Sequence, residues 1–110
     1  MIDQPKEDAA NESLSRDLNE WTADVNGSGA SDGGVHTYLC ECSDGRCSAP
    51  IGLTYTEYEA VRSLPVRFAI AVDHENPEVD AVVAERPRFA MLEKIGSRAL
   101  ALARATDPRR

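Results

Sequence analysis

Apolar residues fall into distinct rhythms along this chain, and each rhythm predicts an element. Leu14, Leu18, Trp21 and Val25 recur at spacings of four, three and four, which lines one face of a helix. An amphipathic helix is therefore predicted over 14–25, with Ser13 as its cap. The polar residues 1–13 read as a disordered tail. Residues 26–34, from Asn26 to Gly34, are rich in Gly, Ser and Asp and read as a flexible linker that tethers the helix. From Val35 the period becomes two: Val35, Thr37 and Leu39 alternate with His36, Tyr38, Cys40 and Cys42, which predicts a strand with Cys40 and Cys42 on one face. Ser43-Asp44-Gly45-Arg46 has turn composition, and Cys47 follows it at once.

The sharpest local signal is Leu53-Thr54-Tyr55-Thr56-Glu57-Tyr58. Thr54 and Glu57 form a capping box, while Leu53 and Tyr58 supply the hydrophobic staple. A helix starts near Tyr55 and ends before Pro65, with Tyr58, Val61 and Leu64 expected to face inward. Val66, Phe68, Ile70 and Val72 alternate with smaller or polar residues and predict a second strand. Further strands are expected near 80–85 and over 89–94, with a turn across Arg86-Pro87-Arg88 between them. Ser97 to Ala105 is rich in Ala, Leu and Arg, so a helix capped by Ser97 is expected, with 106–110 as a tail. These elements define an α+β domain over 35–105: a small antiparallel sheet of three to four strands with a packed helix, joined to the tethered N-terminal helix.

Charge narrows the choice of partners. The 110 residues carry 12 basic and 19 acidic side chains, a net charge of −7, which disfavours nucleic acid and anionic lipid. The distribution is uneven: −6 over 1–33, −6 over 34–85 and +5 over 86–110. The acidic front and basic back can attract one another across the fold. A nucleic-acid role for the arginine-rich end is the weaker reading, because no aromatics interleave with the arginines. No apolar run approaches a membrane span and the first residues lack signal-peptide character, so a cytoplasmic protein is expected.

Three cysteines, Cys40, Cys42 and Cys47, lie close together, and there are no others. An odd number in a reducing compartment argues against a disulfide framework and for metal. Structural Zn²⁺ commonly takes three thiolates and one imidazole, and the Asp44-Gly45 turn lets Cys47 fold back toward the pair. His74, just past the second strand, is the expected fourth ligand. His36 competes, but along an extended strand it lies about 13 Å from Cys40. A packable region of roughly 70 residues with few aromatics also benefits from a staple. The alternative is a thiol switch in which Cys42 and Cys47 join on oxidation; inert cysteines are the third reading. Glu41, Asp44, Asp73 and Glu75 flank the expected ligands, yet thiolate-rich zinc is a poor Lewis acid. No phosphate loop or oriented Cys-His nucleophile accompanies them, so catalysis is not favoured.

The run Tyr38-Leu39-Cys40-Glu41-Cys42 through Cys47, with Leu53-Thr54, Glu57-Tyr58-Glu59-x-Val61-Arg62, Phe68, His74-Glu75-x-Pro77 and Glu93-Lys94, resembles a small uncharacterised bacterial protein family, largely actinobacterial. Arg16-Asp17-Leu18-Asn19-Glu20 is similar to that family's N-terminal helix. The resemblance covers about residues 14–96 and implies no activity; it implies that the three cysteines and His74 form one site. Where the family usually has Pro-Gly before the histidine, this chain has Val72-Asp73. The expectation is thus a small zinc-binding protein of regulatory or protein-interaction type. One structural Zn²⁺ per chain would lie at Cys40, Cys42, Cys47 and His74, and the partner would be another protein, with helix 14–25 as either a contact element or a cover for its own sheet.

Overall fold

The structure, a computed structural model, describes residues 4–29, 34–44 and 46–109. In chain order its elements are α1 (Gln4–Gly29), β1 (Val35–Leu39), β2 (Pro50–Thr54), α2 (Tyr55–Val61), β3 (Arg67–Ile70), β4 (Asp80–Glu85), β5 (Ala90–Lys94) and α3 (Ser97–Ala105). The class is α+β as expected, but the strands divide into two antiparallel sheets. One is the β1-β2 pair; the other has the order β3-β5-β4. Strand β2 escaped the sequence pattern because Pro50 and Gly52 mask its alternation. Its inward residues Ile51 and Leu53 are nonetheless buried, and Ile51 pairs with Tyr38.

The two sheets are joined by the residues just after β1. The Glu41 amide donates to the Ala69 carbonyl at 2.8 Å, and the Cys40 amide donates to the Ala49 carbonyl at 3.0 Å. Extended chain beyond β1 therefore bridges the end of one sheet to β3 of the other. The capping box forms as predicted: Glu57 N donates to Thr54 Oγ1 at 3.0 Å and Thr54 N to Glu57 Oε1 at 2.8 Å. Tyr58 and Val61 are buried, and the Tyr58 ring stacks on Tyr38 with centroids 4.6 Å apart. Leu64, expected inside, is exposed because α2 ends at Val61 and the chain turns away before Pro65. Val66, Phe68, Ile70, Phe89 and Leu92 complete the core.

Helix α1 departs most from expectation. It begins at Gln4 and continues to Gly29, taking in residues read from sequence as tail and as linker. Residues 30–33 of the expected linker lie outside the described residues, as does Gly45 of the expected turn. Gly27 serves packing: a Cβ there would come within 2.6 Å of the Tyr55 ring. The helix packs against β1, α2 and α3, but it does so with the face opposite to the leucine stripe. Glu12, Arg16, Asn19 and Ala23 are buried, whereas Leu14, Leu18, Trp21 and Val25 are exposed.

Polar partners on distant elements reverse the helix. The Arg16 guanidinium donates to the Pro65 carbonyl at 2.7 Å, to the Ala103 carbonyl at 3.0 Å and to Thr106 Oγ1 at 3.1 Å, and it lies 4.5 Å over the Phe68 ring. Glu12 pairs with Lys94, which also reaches Asp80 at 2.7 Å. Glu20 accepts from Arg62 at 2.7 Å and from Arg109 at 2.5 Å, so the acidic front and basic back do meet. Helix α3 spans the predicted residues, but its cap is Gly96 at φ 88°, with Ser97 the first helical residue and no side-chain cap. No helix among the described residues is long and apolar enough to cross a membrane.

Candidate metal centre

Cys40, Cys42, Cys47 and His74 converge on one corner, with their ligand atoms all within 4.8 Å of one another. Three separate pieces of backbone bring them there. Cys40 and Cys42 follow β1, in the stretch that bridges the sheets. Cys47 returns through a turn closed by its own amide donating to the Asp44 carbonyl at 3.0 Å. An amide from Arg46 to Asp44 Oδ1 at 2.9 Å tightens the same turn. His74 stands in the loop after β3, where its amide donates to the Ala71 carbonyl at 3.1 Å. Asp73, immediately before it, adopts φ 72°, the left-handed region natural to glycine. Asp is among the few residues besides glycine that tolerate it.

The spacing can be tested against the chemistry of the donor set. Four donors on a tetrahedral Zn²⁺, with Zn–S near 2.3 Å and Zn–N near 2.0–2.1 Å, place sulfur and nitrogen about 3.6 Å apart. His74 Nδ1 lies 3.6 Å from Cys40 Sγ and 3.5 Å from Cys47 Sγ. All three cysteines are free. The Ala71 amide donates to Cys40 Sγ at 3.2 Å, the kind of second contact that fixes a thiolate ligand and offsets its charge. These residues can hold a metal ion.

Burial sets the electrostatics of the metal-free thiols. Loss of solvation pushes the Cys40 thiol up to about 12, against the opposing hydrogen bond from Ala71. Cys42 is raised for the same first reason. Anionic sulfur in this corner is therefore costly unless a cation arrives with it.

Sequence reasoning treated Glu41 only as a neighbour of the ligands, but it is the polar centre beneath them. Fully buried, it accepts from Asn19 Nδ2 at 2.8 Å, from the Tyr58 hydroxyl at 2.7 Å and from the Ala69 amide at 2.9 Å. Burial raises its pKa while these three donors and the charge of Arg62 oppose the rise. The Tyr58 hydroxyl is raised in turn, by burial first and then by the carboxylate. Asn19 also donates to the Leu39 carbonyl and accepts from the Leu39 amide, both at 2.8 Å. Helix α1 thus grips the strand end from both sides of Cys40. An acidic residue between two cysteines was the available signal, and only its burial shows the role. His36, the competing imidazole, remains on β1 opposite Leu53 and outside the cluster.

Compared with protein-family models, curated proteins and solved structures, the chain matches none of the three.

Proposed function

We propose that this chain is a small zinc-binding protein of regulatory or protein-interaction type, with one structural Zn²⁺ held by Cys40, Cys42, Cys47 and His74. The observation that carries this reading is the three-sulfur, one-nitrogen donor set, with His74 Nδ1 at tetrahedral spacing from two sulfurs. Four protein ligands fill the coordination sphere and leave no position for a reactive water, which favours a structural ion over a catalytic one. Free thiols suit a reducing compartment such as the cytoplasm. The thiol-switch reading, which joins Cys42 to Cys47, is weaker, since sensor cysteines are exposed with lowered pKa values, whereas Cys42 is buried and raised. The likeness to the actinobacterial family supports grouping the four residues and adds no activity.

Elemental analysis of the purified full chain, with circular dichroism before and after a strong chelator, tests the proposal. One zinc per chain, lost in Cys42→Ser, with structure lost on chelation, is the expected result. A folded chain with no metal and three titratable thiols would overturn it.

A further inference from the structure

Helix α1 carries two stripes with the same four, three, four spacing. Glu12, Arg16, Asn19 and Ala23 face the fold; Leu14, Leu18, Trp21 and Val25 are displaced by two residues, about 200° around the helix, and face outward. Leu14 is 62% exposed, Leu18 48%, Trp21 70% and Val25 57%. Large apolar side chains left outside while charged ones go inside reverse the usual preference, and contiguous exposed apolar patches mark interaction surfaces. The alternating spacing is that of the d and a positions of a coiled-coil seam, which a second helix reads.

We propose that this stripe is the docking surface for an amphipathic helix of another protein whose apolar seam is bordered by lysine or arginine. The proposal deepens the interaction half of the function proposed above and does not require the ion. Its argument for the partner is charge. On one border of the stripe, Asp17 and Asp24 are exposed, while Ser15 and Thr22 occupy the other border. The acidic Glu12 and Glu20 of the same helix are already paired inside the fold. A second copy would bring no basic side chain to meet Asp17 and Asp24 at these border positions, and an antiparallel pair would set the acidic borders against each other. A basic-bordered helix both covers the leucines and answers the carboxylates.

Trp21 is the chain's one tryptophan, so its fluorescence reports on the stripe directly. The probe is a synthetic amphipathic peptide with leucine at its a and d positions and lysine at its e and g positions, compared with the same peptide carrying glutamate there. Both are titrated into the zinc-analysed full chain. The expected result is a blue shift of Trp21 emission, with the lysine peptide at least about tenfold tighter than the glutamate peptide. Leu18→Glu, which keeps the reporter and changes an exposed side chain, should weaken binding about tenfold or more. Asp17→Lys with Asp24→Lys should invert the preference. No shift with either peptide, or equal affinity for both, would overturn the proposal. So would a concentration-dependent shift with doubled mass in the absence of peptide, which would assign the stripe to a second copy. Zinc content measured on the same sample separates failure of this surface from failure of the metal reading.

Discussion

The Cys/His corner and the flank where α1 crosses α2 and α3 both tie distant segments together, and they do so with opposite chemistry. At the corner, three sulfurs and an imidazole face one another, with burial opposing negative charge on two of the sulfurs. The set is three sulfurs and one imidazole nitrogen with ligand atoms within 4.8 Å of one another, a donor group that could hold a metal ion. At the flank three buried cations find partners within the chain: Arg16 in two carbonyls and a hydroxyl, Arg62 in Glu20 and Asp107, Lys94 in Glu12 and Asp80. The difference teaches that one small domain can bring sequence-distant segments together either by internal pairing of charges or by gathering donors that could hold a metal ion. The two should respond differently to solution conditions. Asn19 and Glu41 stand between them, coupling α1 to the backbone around Cys40.

Removing the ion is the largest expected perturbation. Chelation or Cys40→Ser should cost several kcal/mol, on the order of the whole stability of a domain this size. Amide exchange should lose protection first over 40–47 and 71–76 and later in α1 and α3. Simultaneous loss everywhere would show that the flank has no stability of its own. Next, Arg16→Met keeps the aliphatic contact with Phe68 but leaves the Pro65 and Ala103 carbonyls and the Thr106 hydroxyl without their donor. We expect about 2–3 kcal/mol of destabilisation in denaturant titration, with zinc stoichiometry unchanged.

Acid should distinguish the regions by a smaller effect. Burial alone would raise the Glu20 carboxyl, yet hydrogen bonds from Arg109 and Arg62 hold it below its ordinary 4.5. A carboxyl depressed in the folded state stabilises fully above its unfolded pKa, and that contribution is lost as pH falls through the folded value. Melting temperature should therefore drop below about pH 4.5 by more in the parent chain than in Glu20→Gln, both compared zinc-loaded so that protonation of the ligands is common to the pair and cancels in the difference. Equal drops would remove Glu20 from the account. Smallest of all, Asp73→Gly relieves the left-handed conformation beside His74. It should raise or hold stability, by up to about 1 kcal/mol, with zinc affinity intact. A loss of zinc would mean that the Asp73 side chain, and not only its backbone, positions the histidine.

Much of the corner was legible in advance. Clustered cysteines, a turn that returns Cys47 and a histidine just beyond the second strand are features of composition and short spacing. The structure brings the same four residues together. Strands β3, β4 and β5 and helices α2 and α3 were legible for the same reason: alternation, the Thr54-Glu57 box and an Ala/Leu-rich run act over a few residues. The missed strand β2 has proline and glycine in its pattern, and its pairing with β1 is a contact that composition does not announce.

What the sequence alone determined, then, is local: which stretches form helix or strand, and that three thiols and an imidazole are available near one sheet end. The tertiary structure decided which face of α1 turns inward. Periodicity correctly marked Leu14, Leu18, Trp21 and Val25 as one face, but the direction of that face depends on partners for Arg16 that lie 49 and 87 positions away, at Pro65 and Ala103. A hydrophobic stripe is a property of neighbouring residues, whereas a buried guanidinium is stable only where distant carbonyls converge to receive it. Only the assembled fold provides that place.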